Sequence, residues 1–358
     1  MKTILAFFIF CIILFIYLHI HFHLKTSDDL EIYEIGQTSK EKLEEILDLR
    51  QPVLFYFDSK NIESYTNKTY ISKNYDSFDV KIRNIYDNND SNNNSNNNSN
   101  NNSNKNDNSD LYVPLSLKVT NKLLQQDKKG SYFSENNSEF LQESGLIKQF
   151  RFNDAFLRPA MVSNCYYDIL FGSNRAFTPF RYEINYRNFF LVTEGSVQIK
   201  VSPPHNKKHL YTEYDYENFE FSSPINPWAP QQQYSEDFDK VKCSEFTLSA
   251  GKVIFIPAYW WYSIRFLNSD SSVACFRYRT FMNNVAISNH IGLHLLQMQN
   301  IKSVTNPVTK KMRVLEEKMA EQENTIVANT DSVESTTTRI DDLDTCIKEN
   351  VLSEEIKQ

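Results

Sequence analysis

Apolar positions along this chain repeat in four different ways, and each predicts a different element. From Ile4 to Leu18 the run is unbroken, and it continues through His19, Ile20, His21, Phe22 and His23 to Leu24. At about 1.5 Å per residue this run is roughly one bilayer thick, which predicts a transmembrane helix within residues 1–25. A cleaved secretory signal is the competing reading. It calls for a shorter apolar core and a small-residue cleavage site, whereas Lys25, Thr26, Ser27 and Asp28 follow Leu24. Of the three histidines only His19 and His23 share a helix face, and a place at the lipid–water interface suits them better than a metal site.

Beyond the run, residues 31–35 alternate as a strand does. Leu43, Ile46, Leu47 and Leu49 mark a short amphipathic helix within 39–49, and Pro52 to Phe57 reads as a buried strand. Residues 111–279 carry many short apolar or alternating runs, among them 189–192, 197–201, 253–256 and 273–276, bounded by Gly, Pro, Asn or Ser. Short strands without long intervening helices predict a sandwich or barrel. A helix is expected over 285–301. Last, Met312, Met319, Ile326, Val333, Ile340 and Ile347 recur at every seventh residue. A lone helix of 3.6 residues per turn would let that stripe drift, so residues 308–351 are expected to form a left-handed coiled coil joining chains into a homo-oligomer, three more readily than two. Polar companions such as Gln322, Asn329, Thr336 and Asn350 weaken the seam. A solvated acidic tail is the alternative.

Residues 88–108 hold fourteen Asn and four Ser and no apolar side chain. Such a segment cannot offset the entropy of ordering and is expected to be a disordered insertion within a domain spanning 30–300. Asn-x-Ser/Thr sequons stand at Asn67 and Asn136 and four times inside the tract; they favour a lumenal or external domain, while the flanking lysines leave orientation undecided. The net charge is −7 and no long basic run occurs, which excludes a nucleic-acid footprint. Five scattered cysteines without a CxxC exclude a zinc ribbon and a small disulfide scaffold.

Two stretches carry a family resemblance. Leu170-Phe171-Gly172-Ser173, Thr178-Pro179-Phe180-Arg181-Tyr182-Glu183, Asn188-Phe189-Phe190, Gly195 and Pro203-Pro204 form the first, and Gly251 to Ile264, with the tandem Trp260-Trp261, forms the second. Together they resemble the core of JmjC-type, cupin-like 2-oxoglutarate dioxygenases, in particular the asparaginyl-hydroxylase branch. The resemblance implies a mainly β, double-stranded β-helix (cupin or jelly-roll) fold with a pocket between its sheets. It also implies Fe(II) held by two His and one carboxylate, with 2-oxoglutarate as co-substrate. In this chain the first His and the carboxylate fall on Arg181 and Glu183, and the second His on Tyr262. The co-substrate lysine position is Val197. Thr178 is kept, and Asn188 and Arg277 join the pocket positions.

The residue types decide what these positions can do. A guanidinium offers no lone pair and stays protonated, so Arg181 cannot ligate iron. Phenol is a poor substitute for imidazole on Fe(II), which leaves Glu183 as one ligand of three. No cofactor is therefore expected, with Fe(II) and 2-oxoglutarate as the alternative. Arg181 and Glu183, two apart on a strand, are expected to pair, with Arg277 and Arg279 pointing inward beside them. Pairing favours a polar plug over an anion-binding pocket. His290 and His294 have zinc-compatible helical spacing but no third ligand, and His205 and His209 sit in a lysine-rich loop. The leading expectation is a single-pass membrane protein carrying a catalytically degenerate cupin-like binding module. An oxygenase with an altered metal site and an oligomeric structural spacer are the other readings.

Overall fold

The computed structural model describes residues 2–57, 60–86 and 111–300. The tract at 88–108 and the heptad segment at 308–351 lie outside the described residues. In chain order the described strands are β1 (Tyr33–Ile35), β2 (Val53–Tyr56), β3 (Asp79–Asn84), β4 (Val113–Ser116), β5 (Tyr132–Ser134), β6 (Val162–Gly172), β7 (Phe180–Tyr182), β8 (Arg187–Glu194), β9 (Ser196–Ser202), β10 (Glu213–Asp215), β11 (Glu220–Ser223), β12 (Ser244–Ser249), β13 (Lys252–Phe255), β14 (Trp261–Phe266) and β15 (Ser272–Thr280).

They build a nine-stranded sheet in the order β1-β2-β13-β8-β15-β6-β5-β3-β4 and a six-stranded sheet in the order β10-β11-β7-β14-β9-β12. From β6 to β9, and again from β12 to β15, the chain alternates between the two sheets, the winding expected of a double-stranded β-helix. On β9 the period of two is plain: Val197, Ile199 and Val201 are buried, while Gln198 and Lys200 between them are not. These residues meet Phe190, Val192, Ile254, Val273 and Cys275 of the larger sheet in one shared core. β8 and β15 are buried almost throughout because the outer face of the larger sheet is covered as well: Phe150, of helix Ile147–Asn153, packs on Tyr167 and Phe276. A second cluster, including Phe180, Tyr182, Trp261 and Phe221, backs the smaller sheet.

β3 and β4 flank the Asn/Ser tract in sequence and pair antiparallel, Asp79 with Ser116 and Ile82 with Val113. The amphipathic helix runs Lys40–Leu47, capped by the Ser39 side chain, which accepts from the Lys42 amide. The segment expected as one helix over 285–301 is instead two, Phe281–Ala286 and Ser288–Asn300. The Thr280 hydroxyl accepts from the Asn283 amide at 3.1 Å and starts the first of them earlier than apolar periodicity suggests.

Helix Lys2–Leu24 is long and apolar enough to cross a membrane. Its apolar side chains are exposed over most of their length. Its carboxy-terminal end rests on the β domain: His23 is buried edge-on against Tyr186, with ring centroids 4.8 Å apart, and the Arg50 guanidinium lies over both Phe22 and Tyr186.

Candidate functional site

β7 and β14 are neighbours in the smaller sheet, and their register sets Arg181 directly opposite Tyr262 and Tyr182 opposite Trp261. Alternation then sorts the side chains. Tyr182 and Trp261 turn to the outer apolar cluster, while Arg181 and Tyr262 turn into the space between the sheets. Both are buried, at 5 % and 0 % exposure, with the guanidinium carbon 5.9 Å from the phenol ring centroid.

Arg181 does not pair with Glu183, contrary to the expectation above. Its guanidinium donates from Nη1 to Glu135 Oε1 at 2.9 Å, from Nη2 to Glu135 Oε2, and from Nη1 to Glu220 Oε2 at 3.1 Å. Arg83 completes the group, with Nη1 2.8 Å from Glu220 Oε2 and 3.5 Å from Glu135 Oε1, and the Tyr112 hydroxyl donates to Glu135 at 2.8 Å. Two buried cations thus meet the buried Glu135 and the half-buried Glu220. Burial resists the charge on Glu135, but Arg181 and Arg83 outweigh it and hold the carboxyl below its usual range. The geometric reason for the change of partner is that Glu183 sits two residues along the chain, whereas Glu220 on β11 is diagonal to Arg181, since Ser222 is Arg181's direct partner. Glu135 reaches in from the loop after β5.

Glu183 belongs to a neighbouring group. Its Oε1 accepts from the Tyr262 hydroxyl at 3.0 Å and lies 3.3 Å from Arg277 Nε, an ionic contact without hydrogen-bond alignment, while Oε2 accepts from Asn185 at 3.1 Å. Burial raises the Tyr262 hydroxyl pKa, and the Glu183 charge raises it further, so the phenol stays protonated. Arg277 also faces Asp168, at 3.8 Å, and Asp168 is held by the backbone amides of Asn136, Asn137 and Ile169. Burial raises the Asp168 pKa despite Arg277.

Beside these groups opens a cleft of about 660 Å³. Arg181, Glu183 and Arg277 line it, as does Arg279, which the alternation of β15 brings to the same side. Arg279 donates from Nε to Asn185 at 2.6 Å, and its guanidinium lies over Tyr166 and Phe219 at 5.1 and 4.8 Å. Among the described residues it has no ion pair. The rest of the wall is rich in neutral hydrogen-bonding groups: Asn136, Asn164, Asn218 and Asn284.

Three expected pocket positions lie elsewhere. Thr178 is fully buried where β7 meets β14, its hydroxyl accepting from the Ile264 amide at 3.0 Å. Asn188 ties the strands together through the Ile256 carbonyl at 3.2 Å. Val197 follows the turn at Gly195, whose φ of 70° suits glycine, but its side chain joins the inter-sheet core. Trp260 is core too, with its indole N–H on the Arg50 carbonyl. His290 and His294 settle on Tyr216, the first 3.3 Å from its hydroxyl and the second 2.5 Å from its carbonyl oxygen. His205 pairs with Asp28 at 3.1 Å. Glu135, Glu220, Arg83 and Asp168 were missed by the sequence reading. Arg83 shares the polar face of β3 with Asp79 and Lys81, opposite Val80 and Ile82, so the strand pattern gave no sign that it is buried.

Whether Fe(II) fits can be judged from the donors. The positions that the resemblance assigns to the metal present a guanidinium, a protonated phenol and one carboxylate already contacted by Tyr262, Asn185 and Arg277. No imidazole is among them, and among the described residues no three His, Cys, Asp or Glu gather as a metal site. Fe(II) does not fit this set.

Comparison with known proteins agrees with the architecture. Residues 38–285 match the family described as the cupin-like domain. HSPB1-associated protein 1 of Rattus norvegicus is 31% identical over 98 residues, covering 27% of this chain and 20% of that protein. The Homo sapiens protein of the same name is 31% identical over 94 residues, covering 26% and 19%. The chain thus spans about a fifth of the length of these relatives. With the profile covering more than half of the sequence and two strand-alternating sheets around a central cleft, the chain belongs to the cupin-like domain family.

Proposed function

We propose that this chain is a membrane-anchored cupin-like binding module that does not perform Fe(II)- and 2-oxoglutarate-dependent oxygenation. One observation carries the reading. The two positions where the resemblance expects imidazoles are the cross-strand partners Arg181 and Tyr262, and both are already committed, one to Glu135 and Glu220 and the other to Glu183. A buried cation bonded to two carboxylates occupies the space of a metal ion and neutralises the same kind of charge. That the relatives are named for associating with another protein, HSPB1, supports binding rather than turnover.

The cleft beside this plug is the binding surface, and its ligand bears a carboxylate or similar anion. Three of the four arginines are matched by carboxylates; Arg279 is the one left to a ligand, its plane set by Tyr166 and Phe219. Burial, the largest influence, lowers the Arg279 pKa, and an arriving anion would offset that penalty. Helix Lys2–Leu24 supplies the anchor, residues 308–351 join chains, and the domain is lumenal or external. A chain stopped at Asn306 is then expected to scatter light as a monomer where the full chain is an oligomer. Asn136 is the sequon to inspect for a glycan, since the Asn67 amide is spent on the Glu63 and Ser64 carbonyls.

Metal analysis after anaerobic reconstitution tests the central claim: no stoichiometric iron and no 2-oxoglutarate turnover are expected. Stoichiometric iron with turnover would establish the alternative, an oxygenase with an altered metal site, on Glu183 and Tyr262 or on other ligands. Arg181→His, Glu183→Asp and Tyr262→His, together with Glu135→Gln to avoid a stranded carboxylate, are expected to raise iron affinity. For the cleft, sulfate or a dicarboxylate is expected to raise the Tm of the wild type but not of Arg279→Gln.

A further inference from the structure

The helix Lys2–Leu24 is 23 residues long, about 34 Å at 1.5 Å per residue. Part of that length is spent on the β domain. Leu18, His19, Phe22 and His23 line a cavity of about 470 Å³ together with Met161 and Met282, and His23 is buried there. Residues 2–17 alone remain clear of it, about 24 Å of helix, which falls short of the roughly 30 Å of a hydrocarbon core. For the helix to span the bilayer, the acyl region must rise to the level of Leu18–Phe22. That level is shared by the domain surface packed on the helix.

The surface at that level is apolar and uncovered. Met161 is 74% exposed and Phe281 is 58% exposed. The Phe281 amide donates to the Met161 carbonyl at 3.3 Å, so the two are neighbours, and helix Phe281–Ala286 packs against helix Lys2–Leu24. Val285, on the same short helix, is 43% exposed. Polar groups adjoin this rim: Glu44 and the Asp48–Arg187 ion pair line the same cavity, and Lys25 follows the helix end. Apolar side chains edged by charged ones match the headgroup–acyl boundary rather than the bilayer interior.

We infer that the rim of Met161, Phe281 and Val285 is seated in the headgroup–acyl boundary of a lipid bilayer, so that the domain rests on the membrane instead of swinging from its anchor. The inference rests on the membrane-spanning reading of Lys2–Leu24. It also has a geometric corollary: Arg279, on the cleft wall, stands only two residues before Phe281, which places that end of the cleft close to the lipid surface.

The test uses the full chain in phosphatidylcholine vesicles, with or without bromine atoms high on the acyl chains, and tryptophan emission as the readout. Phe281→Trp and Met161→Trp place an indole on the rim. Leu267→Trp is the control, beyond the other end of β15, whose nine residues separate the two ends by about 26 Å. Of the three native tryptophans Trp260 and Trp261 are fully buried and Trp228 is half-buried; every variant carries all three, so the wild type sets the background. Brominated lipid is expected to quench the added emission of Phe281→Trp and Met161→Trp and to leave Leu267→Trp like the wild type. Carbonate-resistant membrane retention with no more quenching at 281 and 161 than at 267 overturns the seated rim while sparing the anchor. Release by carbonate overturns both.

Discussion

Replacing Glu135 by glutamine removes one negative charge from the ionic group beneath the cleft and almost no volume. Glu135 is 1% exposed and holds Arg181 through both oxygens, Tyr112 through Oε1, and Arg83 at 3.5 Å. After the change Arg83 and Arg181 share Glu220 alone, and a buried group that was neutral carries one uncompensated positive charge. Breaking a buried pair in this way costs about 3–5 kcal/mol. The acidity of the carboxyl gives a second route to the magnitude. Burial works against its charge, but Arg181 and Arg83 bring the pKa from 4.5 to about 2. At about 1.4 kcal/mol per tenfold this corresponds to about 3 kcal/mol of stabilisation by the charged form. Because the folded pKa is depressed, that stabilisation is complete above the unfolded pKa and is lost as pH falls from about 4.5 towards 2. Glu135→Gln is therefore expected to lower the Tm at pH 7 by on the order of 10 °C, at roughly 2–4 °C per kcal/mol for a domain of this size, and the gap to the wild type should narrow below pH 4.5. The double change Arg181→Met with Glu135→Leu, which leaves the Arg83–Glu220 pair intact, is expected to recover most of the loss. Thermal melts across pH measure all three proteins. An unchanged Tm for Glu135→Gln at pH 7, or a gap that persists undiminished in acid, would refute the reasoning.

Two other substitutions probe the scaffold. Lys68 is 4% exposed, and burial, only partly offset by Asp270 and Glu194, lowers its pKa from 10.5 to about 8. Lys68→Met is expected to stabilise by about 1–2 kcal/mol at pH 7, net of the bond lost to the Ser269 carbonyl, in urea unfolding. Since the folded state sheds this proton first, wild-type stability rises between pH 8 and 10.5 and the advantage of Met fades across that window; an advantage that grew there would contradict the assignment. Gly172 ends β6 with no room for a side chain, because a Cβ would stand 2.1 Å from the buried Phe266 ring. Gly172→Ala is expected to cost about 1–3 kcal/mol by the same assay, and a cost near zero would mean that the ring swings aside freely.

The strands that carry the core were legible because their patterns are extreme. β9 alternates from Ser196 to Val201, and β8 and β15 are apolar on both faces over 189–192 and 273–276, where both faces are covered. The three-residue strands β5 and β10 leave too little pattern to read. At the site, the family resemblance located Arg181, Glu183 and Tyr262, and residue chemistry argued against iron there. The partners were another matter. Two residues apart on a strand share a face, but their side chains stand side by side, whereas a diagonal neighbour or an incoming loop can meet a guanidinium head-on. Glu220 and Glu135 do so from 39 and 46 residues away, and no local period encodes such contacts. Val197 misled for a related reason. The turn at Gly195 was placed correctly, but the pleat of β9 turns position 197 into the inter-sheet core and away from the cleft.

The register that sets Arg181 opposite Tyr262 also bears on how this sequence can change over generations. A histidine at 181 arriving alone strands Glu135 and Glu220 beside a single arginine; loss of Glu135 first strands two arginines beside a single glutamate. Either first step forfeits several kcal/mol from a total margin of about 5–15 kcal/mol, so both of these routes to an imidazole at position 181 cross a valley. The cluster acts as a ratchet. Asn218 and Asn284, on the wall of the cleft, bond to Asp215 and to Ser163 and Asn164, and no buried charge depends on them. Change is thereby channelled to the neutral wall of the cleft while the ionic group beside it stays as it is.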